Sequence, residues 1–309
     1  MTDTPAPLVS VIIPTYGRPA KLRDCLAAMA RLDADGACFE VIVVDDGGPQ
    51  SVEPVVAEFR RELHVRLLVQ RRSGPGAARN AGAAVARGRY LAFVDDDCVP
   101  ARSWLTVLTR EVTRNGRSLI GGRVENALTQ NPYSEASEQI GRYVYDYNRS
   151  DAAHEPFFTS NNIALSADLF SALGGFTTSI PSATAEDKEF CDRWRARGLA
   201  LSHVAEAVVY HAHDLTFGRF LRQHFNYGRG ILSFRLQRRT RTRREIVPEP
   251  LKFYVGLVLS PLRERKASRR WRTVALLIVS QVATMAGALR ELMRWPGPAR
   301  EASARERAA

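Results

Sequence analysis

Three adjacent carboxylates, Asp95, Asp96 and Asp97, follow the apolar segment at residues 90–94. A run of like charges at the end of a strand is costly unless a cation or a substrate neutralises it. Carboxylate oxygens are hard ligands that suit Mg²⁺ or Mn²⁺. The triplet therefore predicts a site for a divalent metal that carries a diphosphate. The alternative is a solvated acidic turn that caps the next helix.

Two earlier apolar segments, residues 9–13 and 39–44, also run directly into polar clusters, at residues 14–18 and 45–48. Near-continuous apolar runs are typical of strands that are buried on both faces of a parallel sheet. In such sheets, ligands bind at the carboxyl ends of the strands. These two clusters and the acidic triplet are therefore predicted to line one crevice.

Helical patterns at residues 19–30 and 54–62 alternate with these strands, and a further strand is predicted at 65–69. This order predicts an α/β fold in which helices flank a mostly parallel sheet. The next helix opens with Gly74-Pro75-Gly76, which is not a dinucleotide fingerprint because Arg79 stands where the third glycine belongs. Arg79 is either a phosphate or nucleotide contact or an ordinary surface arginine.

Glu186 and Asp187 begin a helical pattern that ends at Gly198. A carboxylate in the first turn of a helix stays ionised and can take a proton from an attacking hydroxyl. The alternative is a helix cap, because Thr184 and Asp187 have the spacing of a capping pair.

His211 and His213 follow an apolar strand at residues 207–210. Alternate residues of a strand point to the same side. Either imidazole is a candidate metal ligand if the acidic triplet binds a cation, and both are otherwise surface residues.

The order of these pieces resembles that of the family 2 glycosyltransferases, which have the GT-A fold, a Rossmann-like fold of nucleotide-diphospho-sugar transferases. Six segments carry the resemblance: Val9-Ser-Val-Ile-Ile-Pro-Thr-Tyr16, Val43-Val-Asp-Asp-Gly-Gly48, Gly76-Ala-Ala-Arg-Asn-Ala-Gly82, Phe93-Val-Asp-Asp-Asp97, Gly174-Gly-Phe176 and Glu186-Asp187. Together they are specific for the family and not for the sugar.

The resemblance implies a role for each candidate residue. The nucleotide pocket would contain Pro14, Thr15, Tyr16, Arg18, Asp45, Asp46, Arg79, Asp95 and Asp96, with Asp46 hydrogen-bonded to the base. The metal, Mg²⁺ or Mn²⁺, would be held by Asp97, Asp95 and His211, ahead of His213. Asp187 would be the catalytic base of an inverting transfer, with Glu186 as its partner at the acceptor site. The donor would be a nucleotide sugar, for which UDP is the family's commonest nucleotide.

The net charge of +11 belongs to the tail, where residues 235–272 contain thirteen Lys and Arg against Glu245, Glu249 and Glu264. The basic run has no interleaved aromatic residues, which disfavours nucleic-acid binding. Apolar segments at 253–262 and 273–289 accompany it, and the second has 17 uncharged residues, fewer than the roughly 20 of a spanning helix. We expect an in-plane or hairpin helix that binds anionic lipid. The alternative is an amphipathic helix packed on its own domain.

These features predict three segments: a nucleotide-sugar-binding half at 1–110, an acceptor-binding half with the catalytic base at 111–230, and a basic, apolar helical tail at 231–309. The first seven residues have neither the basic start nor the apolar stretch of a signal peptide. The four cysteines have no disulfide-like or ligand-like spacing, and Cys98 is interpreted as a packing residue. The expected location is the cytoplasmic face of the cell membrane, or otherwise the cytoplasm.

The expected activity is transfer of one sugar to a glycan or lipid-linked acceptor in the synthesis of envelope polysaccharide or glycolipid. Processive synthases of the family usually carry a QxxRW motif, whereas here Gln223 is followed by Asn226 and Tyr227. Two alternatives stay open. A nucleotidyltransferase usually begins with a glycine-rich, basic phosphate loop, which is absent after residue 13. A non-catalytic sugar-binding or membrane-binding module would need neither Asp187 nor a cation.

Overall fold

The computed structural model describes residues 6–33, 38–150, 156–180, 184–242, 246–263 and 270–295. Glu245 and Glu264 of the basic region lie outside these ranges, as do residues 1–5 of the N-terminal segment. The chain divides into two units. The first comprises Met1–Gln130, Tyr145–Thr178 and Glu186–Asp214, and the second comprises Asn131–Val144, Ser179–Ala185 and Leu215–Ala309.

The strands and helices follow the order that the sequence predicts in the first half of the chain. The strands are β1 Val9–Thr15, β2 Phe39–Asp45, β3 Val65–Val69, β4 Tyr90–Val94, β5 Cys98–Pro100, β6 Ser118–Asn126, β7 Asn162–Ser166 and β8 Ala200–His211. The helices are α1 Pro19–Met29, α2 Glu53–Phe59, α3 Pro75–Ala84, α4 Trp104–Arg114, α5 Pro132–Ser150, α6 Ala167–Ala172, α7 Glu186–Ala196, α8 Phe217–Thr242, α9 Leu251–Leu259 and α10 Arg270–Arg294. A 3-10 turn, Ser260–Arg263, follows α9. The strand predicted at 207–210 is therefore only the end of the longer β8.

The eight strands form one sheet in the order β3-β2-β1-β4-β7-β6-β8-β5. β1 lies parallel to β2 and β4, and β2 is parallel to β3, as expected from their apolar runs. β6 and β8 are also parallel, whereas β7 runs antiparallel to β4 and β6, and β5 runs antiparallel to β8. The α/β prediction is confirmed, with a mixed sheet in which the parallel pairings predominate.

Hydrophobic cores cover both faces of the central strands. Val11 and Ile13 of β1 pack in one core with Leu22 of α1. Ile12, between them, packs in the other core with Phe176. Because successive residues of a strand face opposite sides of the sheet, a strand buried on both faces must be apolar throughout. This packing holds the ends of β1, β2 and β4 rigidly at one edge.

In the second unit, α8 and α10 pack closely through glycines. A Cβ at Gly228 would overlap the carbonyl oxygen of Thr284, and a Cβ at Gly287 would overlap that of Phe225. Arg229 Nε donates to Glu291 Oε2 across the same pair at 3.1 Å. The helix backbones therefore approach each other at points where only glycine fits.

The side of α10 that is turned away from α8 is apolar and exposed. Thr273 and Ser280 of α10 are buried, together with Gly287. The exposed large apolar side chains of α10 are Trp271, Ile278, Val282, Met285, Leu289, Leu292 and Met293. Among the described helices, α10, with 25 residues, is the one that is long and apolar enough to cross a membrane by length and composition. The helix is longer than the 17-residue uncharged segment counted from the sequence, because it also includes charged residues at both ends, from Arg270 to Arg294.

Candidate active site

The polar clusters that follow β1, β2 and β4 meet at one edge of the sheet, as predicted. The register of the parallel strands sets Thr15 beside Asp45. Thr15 Oγ1 donates a hydrogen bond of 2.6 Å to Oδ2 of Asp96, which is fully buried. The first cluster is thus joined directly to the acidic triplet.

Arg18 pairs with two carboxylates of the triplet. Its Nη2 and Nε donate to Asp96, the latter at 3.2 Å, and its Nη1 donates to Asp97 Oδ2 at 2.8 Å. The Arg18 side chain is 47% exposed, whereas those of Asp96 and Asp97 are 0% and 8% exposed. A half-exposed guanidinium therefore lies against two buried carboxyl groups on their solvent side.

The two carboxyl groups have opposite pKa shifts. Burial raises the pKa of Asp96 to about 7, and Arg18 only partly opposes this effect. Burial also opposes ionisation of Asp97, but the hydrogen bond and charge of His211, followed by the charge of Arg18, outweigh it and hold the Asp97 pKa below its usual range. Asp97 is thus the member of this pair that remains ionised.

His211 lies directly beside Asp97, although the two residues are far apart in the sequence. Its Nε2 is 3.3 Å from Asp97 Oδ1, and the N–H of Ala212 donates to the Asp97 carbonyl at 2.8 Å. Burial lowers the pKa of His211, but the bond to Asp97 and its charge raise it above the usual value. The His213 ring stacks on that of His211 at 5.0 Å, and burial and the neighbouring imidazole lower the His213 pKa to about 4.

The ligand atoms of Asp97, Cys98 and His211 all lie within 4.8 Å of one another. A carboxylate oxygen and an imidazole nitrogen suit a divalent cation such as Mn²⁺, so the donor set fits the metal that the resemblance implies. Asp95 lies outside this cluster of described residues. Its Oδ1 accepts a bond of 2.5 Å from Arg79 Nη2, and its side chain is 26% exposed.

Arg79 is buried rather than at the surface, with 3% of the residue exposed. In addition to Asp95, it binds Glu186 Oε1 through Nη1 at 3.3 Å. The charges of Asp95 and Glu186 outweigh burial and raise the pKa of Arg79. Arg79 therefore links the end of β4 to the first turn of α7.

Asp187 follows Glu186 in that turn. Its Oδ1 accepts a bond of 2.7 Å from the N–H of Lys188. The expectation that the first helical turn keeps this carboxylate ionised is not met, because burial, and next the charge of Glu186, raise the pKa of Asp187 to about 7. Thr184, its suggested capping partner, donates through Oγ1 to the Asn226 carbonyl at 3.0 Å. A carboxyl group with a pKa near neutrality has the property expected of a general base.

Asp45 and Asp46 are tied to the loops of the same edge. Asp46 Oδ1 accepts from Gln70 Nε2 and the N–H of Ser73, and its Oδ2 accepts from the N–H of Gly74. Asp45 Oδ1 accepts from the N–H of Gly48 at 3.1 Å. Asp46 therefore orders the turn that leads from β3 into α3.

The Tyr16 ring is 38% exposed and lies beneath the guanidinium of Arg72, 4.6 Å from the ring centroid. Pro14 lies in β1 beside Val44 of β2. Gln70 and Arg72 also lie at this site and were not predicted from the sequence. The sequence could have identified them, because both follow β3, whose carboxyl end reaches the same edge of the sheet.

Comparison with known proteins identifies the family. Residues 10–174 match the model of the glycosyl transferase family 2. Glycosyltransferase AglE of Haloferax volcanii is 27% identical over 232 residues, which cover 74% of each chain. The validoxylamine A glucosyltransferase of Streptomyces hygroscopicus subsp. limoneus is 27% identical over 259 residues, covering 71% of this chain and 57% of that protein.

Solved structures are similar in fold. The mannosyltransferase PcManGT from Pyrobaculum calidifontis, solved with GDP-Man and Mn²⁺, has a TM-score of 0.64 at 18% identity, covering 94% of this chain and 88% of that chain. S. aureus TarS 1–349, solved with UDP-GlcNAc, has a TM-score of 0.57 at 16% identity, with coverage of 91% and 89%. These likenesses confirm the expected GT-A fold.

The family match covers more than half of the chain and includes the clusters that follow β1, β2 and β4. The relatives that share this region are glycosyltransferases. The chain therefore belongs to glycosyl transferase family 2 and is a glycosyltransferase with the GT-A fold.

Proposed function

We propose that this glycosyltransferase moves one sugar from a nucleotide sugar to an acceptor hydroxyl, with inversion and with the help of a divalent metal. The observation that carries the proposal is the pairing of Asp97 with His211 at the sheet edge that also holds Thr15 and Arg18. When bound, Mg²⁺ or Mn²⁺ would offset the charge that develops on the departing nucleoside diphosphate. Asp97 and His211 would hold it, with Asp95 as a further ligand.

The donor nucleotide is proposed to bind along the ends of β1 and β2. The exposed ring of Tyr16 offers a stacking surface for the base, and Asp46 lies at the turn beside it. The remaining contacts are assigned to Pro14, Thr15, Arg18, Asp45, Arg79 and Asp96. Structural neighbours were solved with GDP-Man and with UDP-GlcNAc, which supports a nucleoside diphosphate sugar as the donor. We take a UDP-sugar as the first candidate.

Asp187 is proposed as the base. Its carboxylate takes the proton of the acceptor hydroxyl while that oxygen forms a bond to the anomeric carbon, and the bond from this carbon to the diphosphate oxygen breaks. One displacement inverts the anomeric centre and needs no covalent intermediate. Glu186 is proposed to assist by holding the start of α7 against Arg79, to which it is bonded at 3.3 Å.

Residues 1–110 are proposed to bind the donor and residues 111–230 the acceptor, with the tail from 231 on a membrane. The exposed face of α10 is apolar along its length, from Trp271 to Met293. Small residues at the helix contact and apolar residues outside are typical of helices in lipid. Arg270, Arg272, Arg290 and Arg294 at the two ends of α10 suit anionic headgroups.

This arrangement supports a peripheral or monotopic position at the cytoplasmic face of the membrane. A lipid-linked or envelope-bound glycan acceptor would then be brought to the site by the same surface. The proposed process is the synthesis of envelope polysaccharide or glycolipid.

A donor screen tests the proposal. Purified full-length protein with Mn²⁺ is incubated with UDP-, GDP- and dTDP-sugars, and the release of nucleoside diphosphate is followed beside an Asp97→Ala control. We expect one donor to be consumed and the Asp97→Ala protein to be inactive on it. Silence across the panel, with no nucleotide binding by calorimetry, would overturn the proposal.

A further inference from the structure

The cluster at the end of β5 contains a thiol that the proposed transfer does not use. In the antiparallel pairing of β5 with β8, Cys98 stands directly opposite His211. Directly opposed residues of neighbouring strands present their side chains on the same face of the sheet. Asp97 precedes Cys98, and its Oδ1 is the oxygen turned towards His211. The fold thus brings a carboxylate, a thiol and an imidazole together.

The burial of the three groups is graded. Cys98 is fully buried, the Asp97 side chain is 8% exposed and that of His211 is 25% exposed. A cation therefore reaches the cluster from the His211 side and meets the thiol last. Arg18 binds the other oxygen of Asp97, Oδ2. Oδ1 consequently remains directed into the cluster while Arg18 stays in place.

The spacing suits a small tetrahedral ion. The three ligand atoms lie within 4.8 Å of one another. Tetrahedral zinc bonds of about 2.0–2.3 Å place the ligand atoms roughly 3.5 Å apart, so side-chain movements of about 1 Å complete the shell. Three protein ligands with one position left for water is the common pattern of open zinc sites.

We propose that Asp97, Cys98 and His211 form a site for thiophilic divalent cations of the Zn²⁺ class, which compete there with the hard cation of the transfer reaction. On binding, the Cys98 thiol releases its proton to solvent and a sulfur–metal bond forms, with no change of oxidation state. Hard ions such as Mg²⁺ and Mn²⁺ use oxygen and nitrogen and leave the thiol protonated, whereas Zn²⁺ and Cd²⁺ favour thiolate. The inference rests on the proposed function in that it shares Asp97 and His211 with the catalytic metal.

The consequence is regulation of the transferase by metal identity. An ion held by three protein ligands leaves slowly and occupies the position that the donor's metal needs. Low concentrations of a thiophilic ion therefore inhibit the enzyme in the presence of excess Mn²⁺. The buried thiol therefore makes the site selective for the thiophilic ions that inhibit the enzyme.

The chain contains a matched control for the thiol. Cys25 is also fully buried and lies next to the triplet, with its Sγ 3.7 Å from the carbonyl oxygen of Asp95. It is not part of the cluster with Asp97 and His211. Cys25→Ala and Cys98→Ala therefore remove the same atoms from two buried sites on neighbouring elements, and only the second removes a proposed ligand.

The experiment is a Cd²⁺ titration of the full-length protein without nucleotide, read by the ultraviolet sulfur-to-cadmium charge-transfer band. Wild type and Cys25→Ala should show a band that saturates at one Cd²⁺ per chain. Cys98→Ala should lose the band and bind Cd²⁺ about 10–100-fold more weakly, as expected for loss of a ligand. Absence of the band in wild type, its persistence in Cys98→Ala, or its loss in Cys25→Ala would overturn the proposal.

A replacement variant and a parallel measurement of Mn²⁺ binding complete the test. If circular dichroism shows that Cys98→Ala does not fold, His211→Gln takes its place. The Cd²⁺ affinity of His211→Gln, read from the same band, must then be about 10–100-fold lower than that of wild type, or the proposal fails. Mn²⁺ binding to the wild-type protein is measured in parallel by electron paramagnetic resonance. If the protein binds Mn²⁺ but shows no cadmium band, only the proposed thiophilic site is contradicted. If it shows the cadmium band but does not bind Mn²⁺, only the proposed metal dependence of the transfer is contradicted.

Discussion

Asp97 and His211 are joined at 3.3 Å, Oδ1 to Nε2, while the second oxygen of the same carboxylate accepts a bond from Arg18. One carboxylate thereby connects the loop after β4, the end of β8 and the loop before α1. Substitution of Asp97, His211 or Arg18 would therefore alter the charge around a cation bound there.

The two histidines are predicted to differ in metal binding. His211→Gln should weaken Mn²⁺ binding about 10–100-fold, because a ligand is lost. His213→Gln is the matched control and should change the affinity much less, since His211 is the imidazole that contacts Asp97. Titration of Mn²⁺ followed by electron paramagnetic resonance measures both. A larger loss for His213→Gln would assign the ligand to His213.

Asp187→Asn should lower kcat by about 10²–10⁴-fold, because an amide cannot take the acceptor's proton. Donor affinity should change little, because the substitution leaves the cluster around Asp97 intact. The control is Asp192→Asn, the same chemical change on the same helix, which should keep most of the activity. Steady-state kinetics with calorimetry of donor binding separates the two effects. Full turnover by Asp187→Asn would remove it from the catalytic role.

The rate should depend on pH through Asp187. Its pKa is raised to about 7, so the carboxyl group is protonated and inactive below that pH. We expect kcat/KM to rise about tenfold per pH unit below 7 and to level off above it. A pH profile in constant Mn²⁺ measures the effect. The residual activity of Asp187→Asn should not show this rise below pH 7. If the variant shows the same rise, the titration belongs to another group.

The exposed side of α10 is predicted to bind lipid. Val282→Asp, at a residue that is 59% exposed, should weaken binding to anionic vesicles about tenfold or more, because it loses apolar contact worth about 1.5 kcal/mol and adds a negative charge. Val85→Asp is the control, since Val85 is an exposed valine outside the tail. Vesicle flotation measures both proteins. Equal binding of the two would contradict a lipid contact at Val282.

Local patterns in the sequence determined most of the first unit. Continuous apolar runs specify β1, β2 and β4, because strands buried on both faces must be apolar throughout. The polar clusters at their ends follow directly, since parallel strands bring their carboxyl ends to one edge. The family could be recognised from the sequence for the same reason, because its motifs lie in these clusters.

Only the tertiary structure decided which partners the candidate residues have. The residue pattern alone left His211 and His213 open and the family resemblance favoured His211, whereas the pairing of β5 with β8 is what brings His211 to Asp97. Arg79 could have lain at the surface, but it is buried between Asp95 and Glu186. Periodicity assigns a side chain to a face, whereas its partner depends on which distant segment packs there.

The tail illustrates the same division. The sequence predicted either an in-plane or hairpin membrane helix or an amphipathic helix packed on its own domain, and its pattern did not decide which side is buried. In the structure, Gly228 and Gly287 allow α8 and α10 to approach closely, which buries Thr273 and Ser280 and leaves the large apolar side chains of α10 exposed. Amphipathic spacing identifies two faces of a helix, and only the packing of the second helix decides which of them is buried.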